Sequence, residues 1–330
     1  MKKWSLLKQS LEATRNTWEQ PGTRPAVRKN FTAVLDCGTP ALGWEVYASD
    51  TEEKYCYHTC KSRFCPSCGY RATLLWLEEQ EASLPDVPYS GGAKALIIAV
   101  PHTFGGDLKF NCHIHLLVSA GLQESDERWI PYLPLNKESL MRMWRYAVIS
   151  HLRLAFKAHV LRSDLTVQAF GELLSEAYES ERHRRWIIFV DRIVSKAHFL
   201  RYAARYVRRP PIATWRLLKI TDTEVEFVAK DTQAGRLVPK RVTIPQFVRL
   251  LAAHVPDKYR HGIRYFGLLA PRAKRLSRAA LFTILGQISR PRPQRLSWRN
   301  SLIKYFGIDP LIDGRGQEMH WVRQERATAA

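Results

Sequence analysis

Two apolar runs with a glycine pair between them organise the middle of the chain. Residues 95–100 (ALIIAV) and 110–119 (FNCHIHLLVS) are rich in branched side chains, and Gly105-Gly106-Asp107 lies between them. Branched residues suit a pleated surface and glycines close tight turns, so the pattern predicts a β-hairpin. Helical periodicity follows. Apolar groups at Leu140, Met143, Trp144, Ala147, Val148 and Leu154 recur every three to four positions, with His151 on the same face, which predicts a helix over 137–161. Further helices are expected over 164–180 and over 194–209, the latter stopped by Pro210-Pro211. The run WIIFV at 186–190 reads as a buried strand, and three more strands are expected near 214–220, 224–230 and 236–244, with Gly235 at a turn. At the front, 1–30 reads as a polar helical segment ended by Pro21 and Pro25. Residues 71–83 read as a short helix before a linker-like stretch at 84–92. The last eighty residues, 251–330, read as helical and basic, notably 272–278 and 290–299. The fold class is therefore α+β.

Charge adds a partner. The formal net charge of +20 suits a polyanion, because each neutralised phosphate releases counterions. No apolar run approaches the roughly 20 residues that span a bilayer. The opening Met1-Lys2-Lys3-Trp4-Ser5 leads into a polar helix and not an apolar signal core, so a cytoplasmic location is expected. Six cysteines in such a chain point to metal or redox chemistry before disulfides.

Four of those cysteines fall within Cys56-Tyr-His-Thr-Cys60-Lys-Ser-Arg-Phe-Cys65-Pro-Ser-Cys68-Gly69. Two thiolates three residues apart, followed by a glycine, can grip one tetrahedral ion. Cys65 and Cys68 form that pair and Cys60 is a natural third ligand. Cys56 is the first choice for the fourth, with Cys37 and His58 as competitors. Four protein ligands close the shell, which implies a structural Zn²⁺. Lys54, Lys61, Arg63 and Arg71 surround the motif and could touch phosphates.

His113-Ile114-His115 lies in the second strand of the hairpin. Residues i and i+2 share a strand face, so both imidazoles point one way and could share a divalent ion. A turn centred on residues 105–108 puts His102 opposite Asn111 and diagonal to His113, a candidate third ligand that a one-residue slip would remove. Tyr202-Ala-Ala-Arg-Tyr206 sits in the third helix, where i and i+4 share a face. The two phenols are flanked by Arg201, Arg205, Arg208 and Arg209. A phenolate can attack phosphorus when guanidinium groups hold the phosphate and a metal polarises it.

In this order the motifs resemble the two-tyrosine rolling-circle insertion-sequence transposases of bacteria, members of the HUH single-strand endonucleases. The resemblance rests on CGTPALG at 37–43, TCKSRFCPSCG at 59–69, HTFGGDLKFNCHIHLLVSAG at 102–121, RYAARYVRRPPIA at 201–213 and VPDKYRHGIRYFGLLA at 255–270. It covers roughly 30–310. It implies a zinc-ribbon-like module at 31–83 and an HUH nuclease core at 93–250 with an antiparallel sheet, set between the N-terminal helical segment at 1–30 and the basic helical region at 251–330 that the residue pattern predicts. It also implies a catalytic Mg²⁺ or Mn²⁺ on His113 and His115, with Tyr202 and Tyr206 as nucleophiles. The implied substrate is single-stranded DNA at transposon ends, cut through a 5′-phosphotyrosine in a nucleoid-associated protein. Two departures stand out. The family carries a longer segment between zinc module and HUH strands, bridged here abruptly by residues 89–96. Related chains also end in a further cysteine pair after Phe-Gly-x-Asp-Pro-Leu, which this chain lacks after Leu311. Two rival readings are a shortened derivative that binds DNA through its zinc module without cutting, and an HUH replication initiator or relaxase. A third, an RNA-binding zinc protein, leaves the tyrosines without a role.

Overall fold

The structure is a computed structural model. It describes residues 5–85, 95–123, 128–131, 136–161, 164–179, 186–189, 195–205, 207, 210–231, 235–257, 260–272 and 274–326. The chain opens with helices α1 (Leu6–Ala13), α2 (Arg15–Trp18) and α3 (Pro25–Asp36), then strands β1 (Trp44–Ala48) and β2 (Glu53–Tyr57) and helix α4 (Pro66–Ser83). The hairpin is β3 (Leu96–Phe104) and β4 (Phe110–Val118), followed by the short pair β5 (Leu122–Gln123) and β6 (Trp129–Ile130). Helices α5 (Lys137–Lys157), α6 (Val167–Glu179) and α7 (Lys196–Ala204) come next, then β7 (Leu217–Ile220), β8 (Glu224–Lys230), β9 (Leu237–Thr243) and α8 (Ile244–Ala253). The chain closes with β10 (Arg264–Gly267), α9 (Lys274–Ile284), α10 (Trp298–Phe306) and β11 (His320–Glu325). Every sheet among the described residues is antiparallel, and the α+β class expected from the pattern is the one observed.

Two cores carry the molecule. In the first, Leu7 and Leu11 of α1, Val27 and Phe31 of α3, Val225 and Phe227 of β8, and Phe247 and Leu251 of α8 pack together. The sheet β7-β8-β9 therefore leans on the amino-terminal helices. Pro25, expected to end a helix, instead starts α3. Its fixed φ and missing N–H cost nothing in a first turn, where that N–H has no partner anyway. In the second core, Leu96, Ile98 and Val100 of β3 and Leu117 of β4 meet Trp76 of α4, Phe199, Leu200 and Ala203 of α7, and Leu281 of α9. The α5–α6 pair forms a small satellite around Ile149, Phe170 and Leu174, with Phe156 stacked on Phe170 at 4.1 Å.

The carboxy-terminal residues are less helical than the pattern suggests. β10 pairs with β3 to complete the sheet β10-β3-β4, and β11 pairs with β1 to complete β11-β1-β2. Both sheets thus take an outer strand from beyond residue 250. The Asp313 carboxylate fastens the return: it accepts from Ser49 Oγ at 2.7 Å, Thr51 Oγ1 at 2.8 Å and the Gln317 and Arg315 amides at 2.8 and 2.9 Å. Those donors hold its pKa well below the usual carboxylate range, Ser49 foremost.

The expected buried strand at 186–190 is not one. Residues 186–189 have no regular structure, Ile187 is 55 % and Phe189 84 % exposed, and Val190 lies outside the described residues. A short apolar run becomes a strand only beside a sheet edge. Here Trp186 instead packs on the satellite, its Nε1 donating to the Ala177 carbonyl at 3.3 Å.

Gly267 shows how tightly β10 meets β3. Its φ is +59°, and a Cβ there would stand 2.0 Å from the Ala95 carbonyl oxygen. Gly267→Ala is expected to destabilise the protein by more than the 1–2 kcal/mol of left-handed strain alone. Equilibrium urea unfolding checks it, and an unchanged midpoint would contradict this account.

Candidate metal centres and the tyrosine helix

The chain turns sharply after α3 and brings Cys37 beside the loop that enters α4. Two backbone bonds fix that approach, Gly38 N to the His58 carbonyl at 2.9 Å and His58 N to the Gly43 carbonyl at 3.0 Å. Cys37, Cys60, Cys65 and Cys68 then form one group. Sγ separations are 3.6 Å for Cys37–Cys68, 3.7 Å for Cys60–Cys68 and 3.8 Å for Cys37–Cys65. A disulfide needs about 2.05 Å. A tetrahedron with Zn–S bonds of about 2.3 Å has edges near 3.8 Å, so the donor set fits a closed structural zinc site. Neighbouring thiols donating to Cys37 and Cys68 push both toward thiolate, Cys37 to about 7.

Cys56, the first choice from the sequence, is outside this group. It sits in β2 opposite Glu45, and partial burial raises its thiol pKa. Strand geometry explains the exchange. β2 is held in register with β1, while the irregular chain after it delivers Cys60 to the cluster. His58 is also elsewhere engaged, its Nδ1 3.1 Å from the Leu42 carbonyl and its Nε2 3.6 Å from Glu45.

The second group is His102, His113 and His115, whose ligand atoms all lie within 4.8 Å of one another. Ring centroids are 4.8 Å apart for His102–His115, 4.9 Å for His113–His115 and 5.5 Å for His102–His113. His102 stands directly opposite His113, and not opposite Asn111 as the simple turn suggested. The reason is a bulge. Register runs unbroken from Ile97↔Val118 to His102↔His113 and then shifts, so that Phe104 meets Phe110. Thr103 therefore faces two residues of β4, Asn111 and Cys112.

The hydrogen bonding of this group suits a cation. His113 Nδ1 lies 2.8 Å from the Asn111 carbonyl, which can only accept, so Nδ1 carries the proton and Nε2 keeps its lone pair. Burial, then repulsion by His102 and His113, holds His115 down to about 4. Three imidazoles on one face are a nitrogen donor set that fits a divalent cation.

Helix α7 begins at Ser195, whose side chain accepts from His198 N. Phe199, Leu200 and Ala203 are buried against β3 and β4. Cross-strand pairing puts Val100 opposite His115 and Ile98 opposite Leu117, so the imidazoles stand on the sheet face that carries this core. Tyr202 is half-buried and packs against the same core, while Arg201 and Arg205 are exposed. Tyr206, Arg208 and Arg209 lie outside the described residues.

The residues without a sequence signal are Thr103 and His254. His254 follows α8, is buried, and reaches the hairpin through both ring nitrogens. An isolated histidine has no spacing that marks it. Burial lowers its pKa, which keeps the ring neutral.

Among the described residues no helix is long and apolar enough to cross a membrane. Comparison with known proteins places these features together. A family model described as "Transposase zinc-binding domain" matches residues 6–91, which include the four-thiol group. A second, described as "Putative transposase", matches residues 97–277, which include the imidazole group and α7. The chain is 28 % identical to "Putative transposase y4qJ" of Sinorhizobium fredii, over 81 % of this chain and 80 % of the relative. It is 27 % identical to the "Transposase for insertion sequence element IS801" of Pseudomonas savastanoi pv. phaseolicola, over 77 % of this chain and 73 % of the relative. No solved structure matches. With more than half its length matched by one transposase model and its front by another, the chain belongs to this family of insertion-sequence transposases with an amino-terminal zinc-binding domain.

Proposed function

We propose that this transposase cuts and rejoins single-stranded DNA at the ends of its element through a covalent link to tyrosine, in a rolling-circle pathway. The observation that supports this reading is the shared sheet face: three imidazoles stand on the side that packs against the helix of Tyr202. His102, His113 and His115 would hold a Mg²⁺ or Mn²⁺. When bound, such an ion supplies Lewis-acid polarisation of a phosphate oxygen.

The chain's own groups supply the rest. Arg201 and Arg205, with Arg208 and Arg209 beyond the described residues, hold the phosphates around the scissile bond. The phenol of Tyr202 or Tyr206 loses its proton to water and its oxygen attacks phosphorus. The P–O3′ bond breaks, the departing oxygen takes a proton to become a free 3′-OH, and the 5′-phosphate stays on tyrosine. The second tyrosine supports another cut, or a 3′-OH attacks the phosphotyrosine and restores the phosphodiester. One ester replaces another at each step, so no nucleotide hydrolysis is required. Zinc at Cys37, Cys60, Cys65 and Cys68 is structural in this reading.

The test is incubation with labelled single-stranded oligonucleotides from the element ends and Mn²⁺, followed by denaturing gels and peptide mapping. A DNA adduct on Tyr202 or Tyr206 is expected; adducts on neither would overturn the proposal. One observation favours a second reading, DNA binding without cleavage. β4, which carries His113 and His115, is an outer strand of a three-stranded sheet among the described residues, with Ile114 and Leu116 exposed on its far side. Salt-dependent binding with no adduct would select it.

A further inference from the structure

We infer that His254 is a positioning residue that fixes the register of the imidazole cluster; the inference rests on the metal-binding reading just given. His254 caps α8, which belongs to the first core, whereas the cluster it addresses belongs to the β3–β4 sheet. α8 is a firm base. Thr243 and Gln246 form a capping box at its start, and Ile244, Phe247, Val248 and Leu251 are buried.

From that base the ring closes on the bulge at both ends. His254 Nε2 lies 2.8 Å from the Leu108 carbonyl, and Nδ1 lies 3.1 Å from Thr103 Oγ1. A carbonyl can only accept, so Nε2 carries the proton, and Nδ1 accepts from the Thr103 hydroxyl. Leu108, with a left-handed φ of +64° and a fully buried side chain, is the turn residue that sits in the first core. Thr103 is the β3 residue at the bulge, next to His102. The ring also stacks on Phe110 at 6.4 Å and meets Phe104 at 5.5 Å, and Phe104 stacks on His102 at 5.0 Å.

The register needs such a clasp. The bulge decides whether His102 faces His113 or a neighbour, and a slip of one residue would turn every side chain of the shifted strand to the other face. A single neutral imidazole bonds the turn carbonyl and the bulge hydroxyl at once. Arg216 adds a second pin by donating to the Gly106 carbonyl and, at 2.8 Å, to the Val228 carbonyl.

The experiment measures Mn²⁺ affinity of the full zinc-loaded chain by electron paramagnetic resonance. Loss of a direct outer partner of a metal ligand weakens binding by about 10–100-fold, and His254 acts one residue removed from His102, so the low end of that range, about tenfold, applies. His254→Leu is expected to weaken binding by about tenfold. Thr103→Val, which keeps the shape and removes only the hydroxyl, should weaken binding in the same direction and covers the case in which the leucine variant does not fold. His254→Gln, which retains an N–H for the Leu108 carbonyl, should recover most of the affinity. Unchanged affinity in the folded leucine and valine variants would overturn this inference alone. If the unaltered protein shows no Mn²⁺ binding that depends on His113 and His115, the metal-binding reading falls, and this inference with it.

Discussion

Replacing His113 and His115 together with alanine is expected to lower single-strand cleavage by about 10³-fold or more while leaving DNA binding within a few-fold. Lewis-acid stabilisation of a phosphoryl transition state is worth several kcal/mol, and each 1.36 kcal/mol is tenfold in rate. Binding should survive because phosphate contacts come from arginines that this change leaves intact, and the salt dependence of binding reports those contacts separately. Folding should survive too. Neither side chain is in the apolar core, and both are only partly buried at the end of the sheet face. The measurement is single-turnover cleavage of a labelled oligonucleotide in Mn²⁺, beside a thermal melt of the same preparation. A double variant that melts like the parent and cuts at the parental rate would remove metal chemistry from this site.

Much of this arrangement was readable from local pattern, and the parts that were not share one cause. The hairpin at β3–β4 announces itself through branched residues and a glycine turn, and the i, i+2 spacing of His113 and His115 places them on one face without any tertiary knowledge. Cys60, Cys65 and Cys68 are close in sequence, so their meeting is a matter of short loops. Cys37 is different. Its place in the cluster depends on how α3 packs and on the bond from Gly38 to the His58 carbonyl, neither of which has a local signature. The same holds for the bulge: counting back from the turn gives a regular ladder, and the extra residue lies where Leu108 is buried in the first core and its carbonyl is bonded by His254. β10 and β11 are short strands in a basic setting, and their pairing partners lie more than 150 residues upstream. The run at 186–189 fails in the opposite way, with strand composition and no strand pairing among the described residues.

The two cysteine assignments separate cleanly in the tube. Cys37→Ser is expected to lose zinc and to unfold the amino-terminal half, while Cys56→Ser should keep about one equivalent of zinc and melt close to the parent. Zinc supplies about 10–16 kcal/mol of apparent folding free energy in small modules, as large as a domain's whole usual margin of about 5–15 kcal/mol. Here the cluster is continuous with the first core: Cys65 and Phe64 are buried beside Phe31 of α3, with the rings of Phe31 and Phe64 5.6 Å apart. Losing the ion would leave several thiols crowded at 3.6–3.8 Å with no cation to bind their charge, directly under that packing. Cys56 has no such neighbours. Its backbone serves β2 whatever its side chain is, and a serine there alters only a partly buried thiol. Zinc content by atomic absorption and melting with and without a chelator check both outcomes. A Cys37→Ser protein with full zinc, or a Cys56→Ser protein without it, would return the fourth place to the strand.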